Sequence, residues 1–540
     1  MPDFRTLLCS ALVAGTALGG VALAPVALSP VALAQSADKP ADKPAPQSAP
    51  QSAPQSAPAQ PTVPAPVAEE GKPAAGSDAK TSDHSPTSQT PAPAGEAATP
   101  ANSQSEATGA ATAPASGANA AAQPEGADAE LARGAYLATA ADCVACHTKP
   151  GGKPFAGGLK IATPMGDVVA TNITPDPQHG IGSYTEADFE NALRHGVRKD
   201  GSYLYPVMPY VSYAGMTDQD VKALYAWFMH VVKPVAEAPE ETNLSFPASL
   251  RSAMMAWNFV ASKETPETGD SSTYDQLRRG RYLANALEHC GTCHTPRNFM
   301  LSEKQDHYLA GGSLGTWYAP NVTSSKTGGI GDWSEDDLVA YLRTGRVAGR
   351  AQAAGPMAEA VEHSTSHLTD ADLHALAAFI LKVAPMDDDA DHAARDAAGK
   401  AAETPDIRTK GPQRIDDLAE MDGPHIYDAN CSACHGHDGA GTRDHYVPSL
   451  FNNSTVGAGR PDNLIMTILN GVDRTAGKEH AFMPGFDGQS NVQRLSDAEI
   501  AALTNYVTAT FGTGDHQVTP ELVKSLRKDT PVVNPLAKGK

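Results

Sequence analysis

Cys143-Val144-Ala145-Cys146-His147 is the stretch that decides the fold, and it has two counterparts further along the chain. These are Cys290-Gly291-Thr292-Cys293-His294 and Cys431-Ser432-Ala433-Cys434-His435. Each reads C-x-x-C-H, the spacing used for covalent attachment of a c-type haem. Two thiols separated by two residues on one turn can each add to a haem vinyl group. The His that follows then lies under the iron as its proximal ligand. A C-x-x-C pair can also be a redox dithiol or half of a zinc site. Six of the seven cysteines fall in these boxes, always with His directly after, and that regularity favours haem over both alternatives. Three covalently bound haem c groups are therefore expected. Cys143, Cys146, Cys290, Cys293, Cys431 and Cys434 attach them, and His147, His294 and His435 ligate the irons.

Outward from the first box, Arg133-Gly134-Ala135-Tyr136-Leu137 opens a helix. Met216-Thr217-Asp218-Gln219-Asp220 closes the unit with a helix-capping pattern, followed by apolar residues at helical spacing. The second unit repeats the plan. Arg279-Gly280-Arg281-Tyr282-Leu283 matches the opening, Asn321-Val322-Thr323 matches Asn172-Ile173-Thr174, and Leu342-Arg343-Thr344-Gly345 matches Leu193-Arg194-His195-Gly196. Leu368-Thr369-Asp370-Ala371-Asp372 matches the closing cap. So many matches in order indicate duplication. The third unit is more divergent, with Leu495-Ser496-Asp497-Ala498-Glu499 as its cap. The fold class expected is all-α: three cytochrome c-like haem domains in tandem, over residues 128–240, 273–385 and 422–514. An apolar connector, 241–272, joins the first two; a linker, 386–421, precedes the third; a tail, 515–540, follows it.

The chain of 540 residues starts with a pattern that reads as a signal peptide, residues 1–34, ending in Ala32-Leu33-Ala34. Cys9 follows bulky Leu8, reads poorly as a lipoprotein site, and is expected to leave with the signal. Residues 35–127 are rich in Ala, Pro, Ser and Gln with almost no large apolar side chain, the composition of a disordered tether. Export to the periplasmic face of the cell membrane also suits haem attachment outside the cytoplasm. The formal net charge of −21 argues against nucleic acid as a partner. No stretch after the signal has the ~20 apolar residues of a spanning helix, so any membrane association should be peripheral or through a partner.

A Met thioether on the distal side of a haem suits electron transfer. Met208, Met357 and Met483 lie at comparable distances after His147, His294 and His435, in the loop before each closing helix. They are the candidate sixth ligands. A core-filling role is the ordinary alternative for any Met. His363 and His367 rival Met357, and His480 rivals Met483. Tyr210, Tyr213, Trp317 and Trp333 are expected to cover haem edges.

At these motifs the chain resembles the triple-haem cytochrome c subunit of membrane-bound dehydrogenases of acetic acid bacteria. Gly166-Asp-Val-Val-Ala-Thr-Asn172-Ile-Thr-Pro-Asp-Pro, Arg194-His-Gly-Val-Arg-Lys-Asp-Gly201 and Tyr205-Pro-Val-Met208-Pro-Tyr carry the likeness. The resemblance implies a catalytic dehydrogenase partner holding a quinoid, flavin or molybdenum cofactor, with electrons passed through this chain to ubiquinone. Alcohol and aldehyde dehydrogenases are the first expectation; gluconate, sorbitol and fructose dehydrogenases are the alternative. The residues hold no dinucleotide fingerprint or nucleophile-base set, so the chain is not expected to oxidise substrate alone. A multi-haem peroxidase would need an open distal site, against which three Met candidates argue. A free electron shuttle is the remaining alternative. The apolar connector Asn243–Val260 reads in two ways, as a surface for membrane or partner and as a helix packing two units together.

Overall fold

Each box follows an opening helix, and a closing helix crosses back over that helix. The computed structural model describes residues 126–260, 275–387, 394–403, 422–488, 493–514 and 516–528, all within one unit that begins at Ala113. The expected signal peptide, Cys9 and all but the end of the expected tether lie outside the described residues. The opening helices are Ala127–Ala140, Gln276–Tyr282 and Gly423–Asn430. The closing helices are Asp218–His230, Asp370–Ile380 and Asp497–Phe511.

Every crossing is made at a glycine. A Cβ on Gly134 would stand 2.2 Å from the Ala223 carbonyl oxygen, one on Gly280 1.9 Å from that of Ala375, and one on Gly423 2.5 Å from that of Ala502. Only a residue without a side chain allows backbones this close. The second opening segment has one residue more than the first between glycine and box. A π-helical turn, Leu283–Leu287, takes it up. Asp142 and His289, directly before the first cysteine of each box, then share a left-handed backbone, φ 49° and 39°.

The capping patterns form. Thr217, Thr369 and Ser496 accept from the backbone N–H of Asp220, Asp372 and Glu499. In the third unit Glu499 returns to the Ser496 N–H and completes the reciprocal box. In the first two units a tyrosine of the other unit stands in that place. The Thr217 N–H donates to the Tyr282 hydroxyl, which donates to Asp220; the Thr369 N–H donates to the Tyr136 hydroxyl, which donates to Asp372. Each carboxylate also takes its own unit's arginine. Arg133 pairs with Asp220, and Arg279 grips Asp372 through two bonds of 2.8 and 2.7 Å. Opening and closing motifs are thus joined crosswise, and the first two units share one hydrophobic core. Leu137, Leu224 and Phe228 meet Leu283, Leu287 and Leu376 in it. The third unit has its own core around Ile426, Ile465, Leu469 and Phe511.

The all-α expectation needs correction. Short antiparallel strands tie the loops: Gly166–Val169 between Lys160–Thr163 and Asn243–Leu244, Gly312–Leu314 with Trp317–Ala319, Arg346–Val347 with Ala351–Gln352, and Val472–Ala476 with Glu479–Met483. With two to five residues each, they carry too little alternation to show in the sequence.

Residues 394–403, within the expected linker, form a strap tied to both sides. Asp396 accepts from Trp333 Nε1 at 2.8 Å and from Arg350 at 2.6 Å, and the Ala402 N–H donates to the Asp438 carbonyl. Helix Pro520–Lys528 of the expected tail packs Val523 and Leu526 into the third core. Among the described residues no helix is long and apolar enough to cross a membrane.

Candidate haem sites

The boxes lie on short helical turns, Cys143–Cys146, Cys290–His294 and Ser432–His435. All six of their cysteines are free of disulfides. Cys143, Cys290 and Cys431 are half-buried and pack against the cores. Burial pushes the Cys143 and Cys431 thiols up to about 12 and raises Cys290 too, so before attachment these sulfurs stay protonated.

The three histidines are anchored alike. Nδ1 of His147 bonds the Thr171 carbonyl at 2.7 Å, that of His294 the Pro320 carbonyl at 2.7 Å, and that of His435 the Pro448 carbonyl at 3.1 Å. A carbonyl can only accept, so Nδ1 carries the proton and Nε2 is left with a free lone pair. Burial lowers the pKa of all three rings, keeping them neutral and able to ligate. This donor set fits a haem c, attached through the two sulfurs and ligated by Nε2. A haem so held supplies a one-electron centre. Among the described residues no group of three or more His, Cys, Asp or Glu is arranged to hold a metal, so the zinc alternative lacks a donor set there.

Met208 and Met357 pack against the core shared by the first two units, and Met483 against the third. Met208 lies two residues before the helical turn Tyr210–Tyr213, Met357 lies in the first turn of helix Gly355–His363, and Met483 ends its strand. Two of their rivals are engaged elsewhere. His367 Nε2 bonds the Glu362 carbonyl at 3.0 Å, and His480 Nε2 bonds Asp473 at 2.8 Å while its ring stacks on Phe482. Tyr210 packs under Gly196, and the Tyr213 hydroxyl donates to the Ala141 carbonyl, directly before the first box. Trp317 lies against Gly355, and Trp333 against Tyr341.

Sequence reasoning missed the charge set between the first two boxes. Burial, helped by Glu359, pushes Asp142 up to about 8, and burial holds Glu288 well above the usual carboxylate range although Ser364 donates to it. Burial lowers His289 to about 4. The same Ser364 hydroxyl lies 3.1 Å from the Ala140 carbonyl and shares its proton between the two acceptors, linking the second unit to the end of the first opening helix. The residue before each box was the available signal, but Asp in one copy and His in the other gave no common pattern.

Residues 131–231 and 420–510 match the family model described as cytochrome c, so the site belongs to a c-type cytochrome. More specifically, the chain belongs to the family of cytochrome c subunits of fructose, gluconate and alcohol dehydrogenases. It is 45% identical over 416 residues to the fructose dehydrogenase cytochrome subunit of Gluconobacter japonicus, covering 76% of this chain and 84% of that one. It is 40% identical over 418 residues to the gluconate 2-dehydrogenase cytochrome c subunit of Pantoea cypripedii, 75% and 91% of the two chains. It is 40% identical over 397 residues to the cytochrome c subunit of the quinone-type alcohol dehydrogenase of Gluconobacter oxydans, 71% and 79% of the two chains.

Proposed function

We propose that this chain is the triple-haem electron-transfer subunit of a dehydrogenase complex on the periplasmic face of the cell membrane. It takes electrons singly from a catalytic subunit and delivers them to ubiquinone. The observation that carries this is the threefold C-x-x-C-H box with each histidine anchored through Nδ1 to a backbone carbonyl. The higher identity to the fructose enzyme's subunit, 45% against 40%, favours a sugar-oxidising partner over the alcohol or aldehyde type.

An exposed apolar surface supports a peripheral membrane association. Helix Ala253–Val260 is apolar apart from Asn258, whose amide bonds Tyr210 and the His195 carbonyl. Its inner face packs: Trp257 donates to the Met300 carbonyl of the second unit at 2.8 Å and meets the ring of Tyr210 in the first. The inner face thus packs the two units together, and the exposed outer face supports the membrane reading. On the outer face Met255 and Phe259 are exposed, Phe259 by 90%, and Phe299, beside Met300, is 94% exposed. Residues 243–260 contain one arginine and no acid in a chain of charge −21. Such a helix suits the interface of a bilayer. Met255→Glu with Phe259→Glu should cut membrane retention about tenfold or more, from lost apolar burial plus an added charge. Flotation with liposomes reads this, and unchanged retention would remove the surface from the proposal.

Purification of the tagged, exported chain tests the whole. Expected are a mass gain of three porphyrins, a co-purifying dehydrogenase and substrate-dependent reduction of a ubiquinone analogue. A chain that elutes alone and reduces no quinone overturns it.

A further inference from the structure

Arg474 belongs to the third unit, on strand Val472–Ala476, yet its side chain lies inside the second. It is 2% exposed, and its guanidinium donates to the Ala353 carbonyl at 2.5 Å. No carboxylate of the described residues lies within ion-pair distance of it. Burial holds its pKa below the ordinary arginine value and Arg346 adds to the depression; Tyr341 opposes it most, followed by the more distant carboxylates of Glu479 and Glu362. A buried cation with one neutral partner in contact is costly unless an anion compensates.

Its place has a counterpart in the first unit. Gly196 and Gly345 are matching helix ends, with φ 63° and 74°. Each accepts at its carbonyl from the segment leading to the candidate methionine, Leu204 N–H in one and Ala353 N–H in the other. Over Gly196 lies the ring of Tyr210, 2.7 Å from where a Cβ would be. Over Gly345 lies the guanidinium of Arg474, its Nε 2.4 Å from the corresponding point. A neutral ring of the first unit is thus replaced in the second by a charge from the third. Around it, Ala353, Val361 and Ala476 form a small core that Tyr341 and Met357 join.

We propose that Arg474 is a positioning residue of the second haem site: it completes the distal pocket beside Met357, and its charge holds that haem's potential up. Glu479 and Glu362 act on it only from beyond ion-pair distance, so the guanidinium is suited to answer the propionate carboxylates that a haem would bring to this site. This rests on the reading that the second box holds a haem. A fixed positive charge favours the reduced, less positive iron. Its removal from the second site alone therefore separates three otherwise similar centres.

The test is a redox titration of the full holoprotein with Arg474→Met, which keeps length and removes charge, and Arg474→Lys, which keeps charge. Haem content by mass is measured on each sample. In Arg474→Met one of three midpoints should fall by the equivalent of tenfold or more in its redox equilibrium, about 59 mV for one electron. The other two should stay, and Arg474→Lys should restore most of the shift. Unmoved midpoints, or three that move together, overturn the inference while leaving the haem reading intact. Two porphyrins in the wild-type chain would instead overturn the reading on which it rests. Should Arg474→Met not fold, an Arg474→Lys chain with wild-type midpoints supports a charge role, and one with the second midpoint lowered tenfold overturns it.

Discussion

Asp372→Ala should destabilise the first two units together by about 3–5 kcal/mol, the cost of removing one member of a buried ion pair. Asp372 is 7% exposed and answers both Arg279 and the Tyr136 hydroxyl of the other unit. Alanine would leave a guanidinium and a phenol facing each other without an acceptor. Asp220→Ala should act alike, because Asp220 is 0% exposed and holds Arg133 and Tyr282. Since the two units share one core, each substitution should lower a single transition that both boxes report. Two separate transitions, with only the mutated unit weakened, would refute the crosswise coupling. Burial alone would raise Asp372, but Arg279 and Tyr136 outweigh it and its pKa lies below the ordinary value. Its contribution is therefore present above the unfolded carboxylate pKa, ~3.9, and is lost as pH falls through the lower folded value. Burial first, and then Asp372, raise Tyr136 above its ordinary value near 10. Its contribution is fully present below the unfolded value near 10, falls as pH rises past that value and is gone at the raised one. Between about pH 5 and 9 the wild-type melting temperature should owe no slope to this pair. Calorimetry of wild-type and Asp372→Ala chains across pH 3–11 checks both statements.

What was legible in the sequence was local. The C-x-x-C-H boxes, the Thr217, Thr369 and Ser496 caps and the helix spacing each lie within a few residues, so pattern and structure coincide there. The Arg-Gly-x-Tyr-Leu repeat was visible, but not its purpose. Its Gly serves a helix crossing, and its Tyr serves an aspartate 236 residues away in one direction and 62 in the other. No periodicity reports such a pairing. The connector showed its apolar character but could not show that Trp257 faces inward while Phe259 faces out. Arg474 was silent because the second unit's missing ring is supplied from the divergent third, where no internal match drew attention to it. The strap was read as loop for a similar reason. Asp396 looks like one more surface acid until Trp333 and Arg350 are seen to meet on it.

Met357→Ala should convert one third of the iron to a high-spin form and lower one midpoint by roughly 100 mV or more, within the range over which axial ligands tune haem. Met357 is the expected ligand with the strongest rivals, so its replacement decides most. It joins both the shared core and the small core beside Arg474. His363 ends the same helix, Gly355–His363, six residues on. At 100° per residue that is a different face, so Met357 and His363 cannot both point at one iron. His367 has its Nε2 committed to the Glu362 carbonyl. If His363 were the ligand, Met357→Ala would leave the low-spin spectrum intact and His363→Ala would abolish it for one haem. If Met357 is, the reverse holds, and Met357→His should restore a low-spin centre at a lower potential than wild type. Met208→Ala and Met483→Ala provide the scale, each expected to change one of the other two centres. The same three variants read together separate a relay from a peroxidase. In a relay every distal site is closed by its own thioether, and only the variants should acquire peroxide reactivity. A wild-type chain that already turned over peroxide at one haem would mean that one of these methionines is only packing.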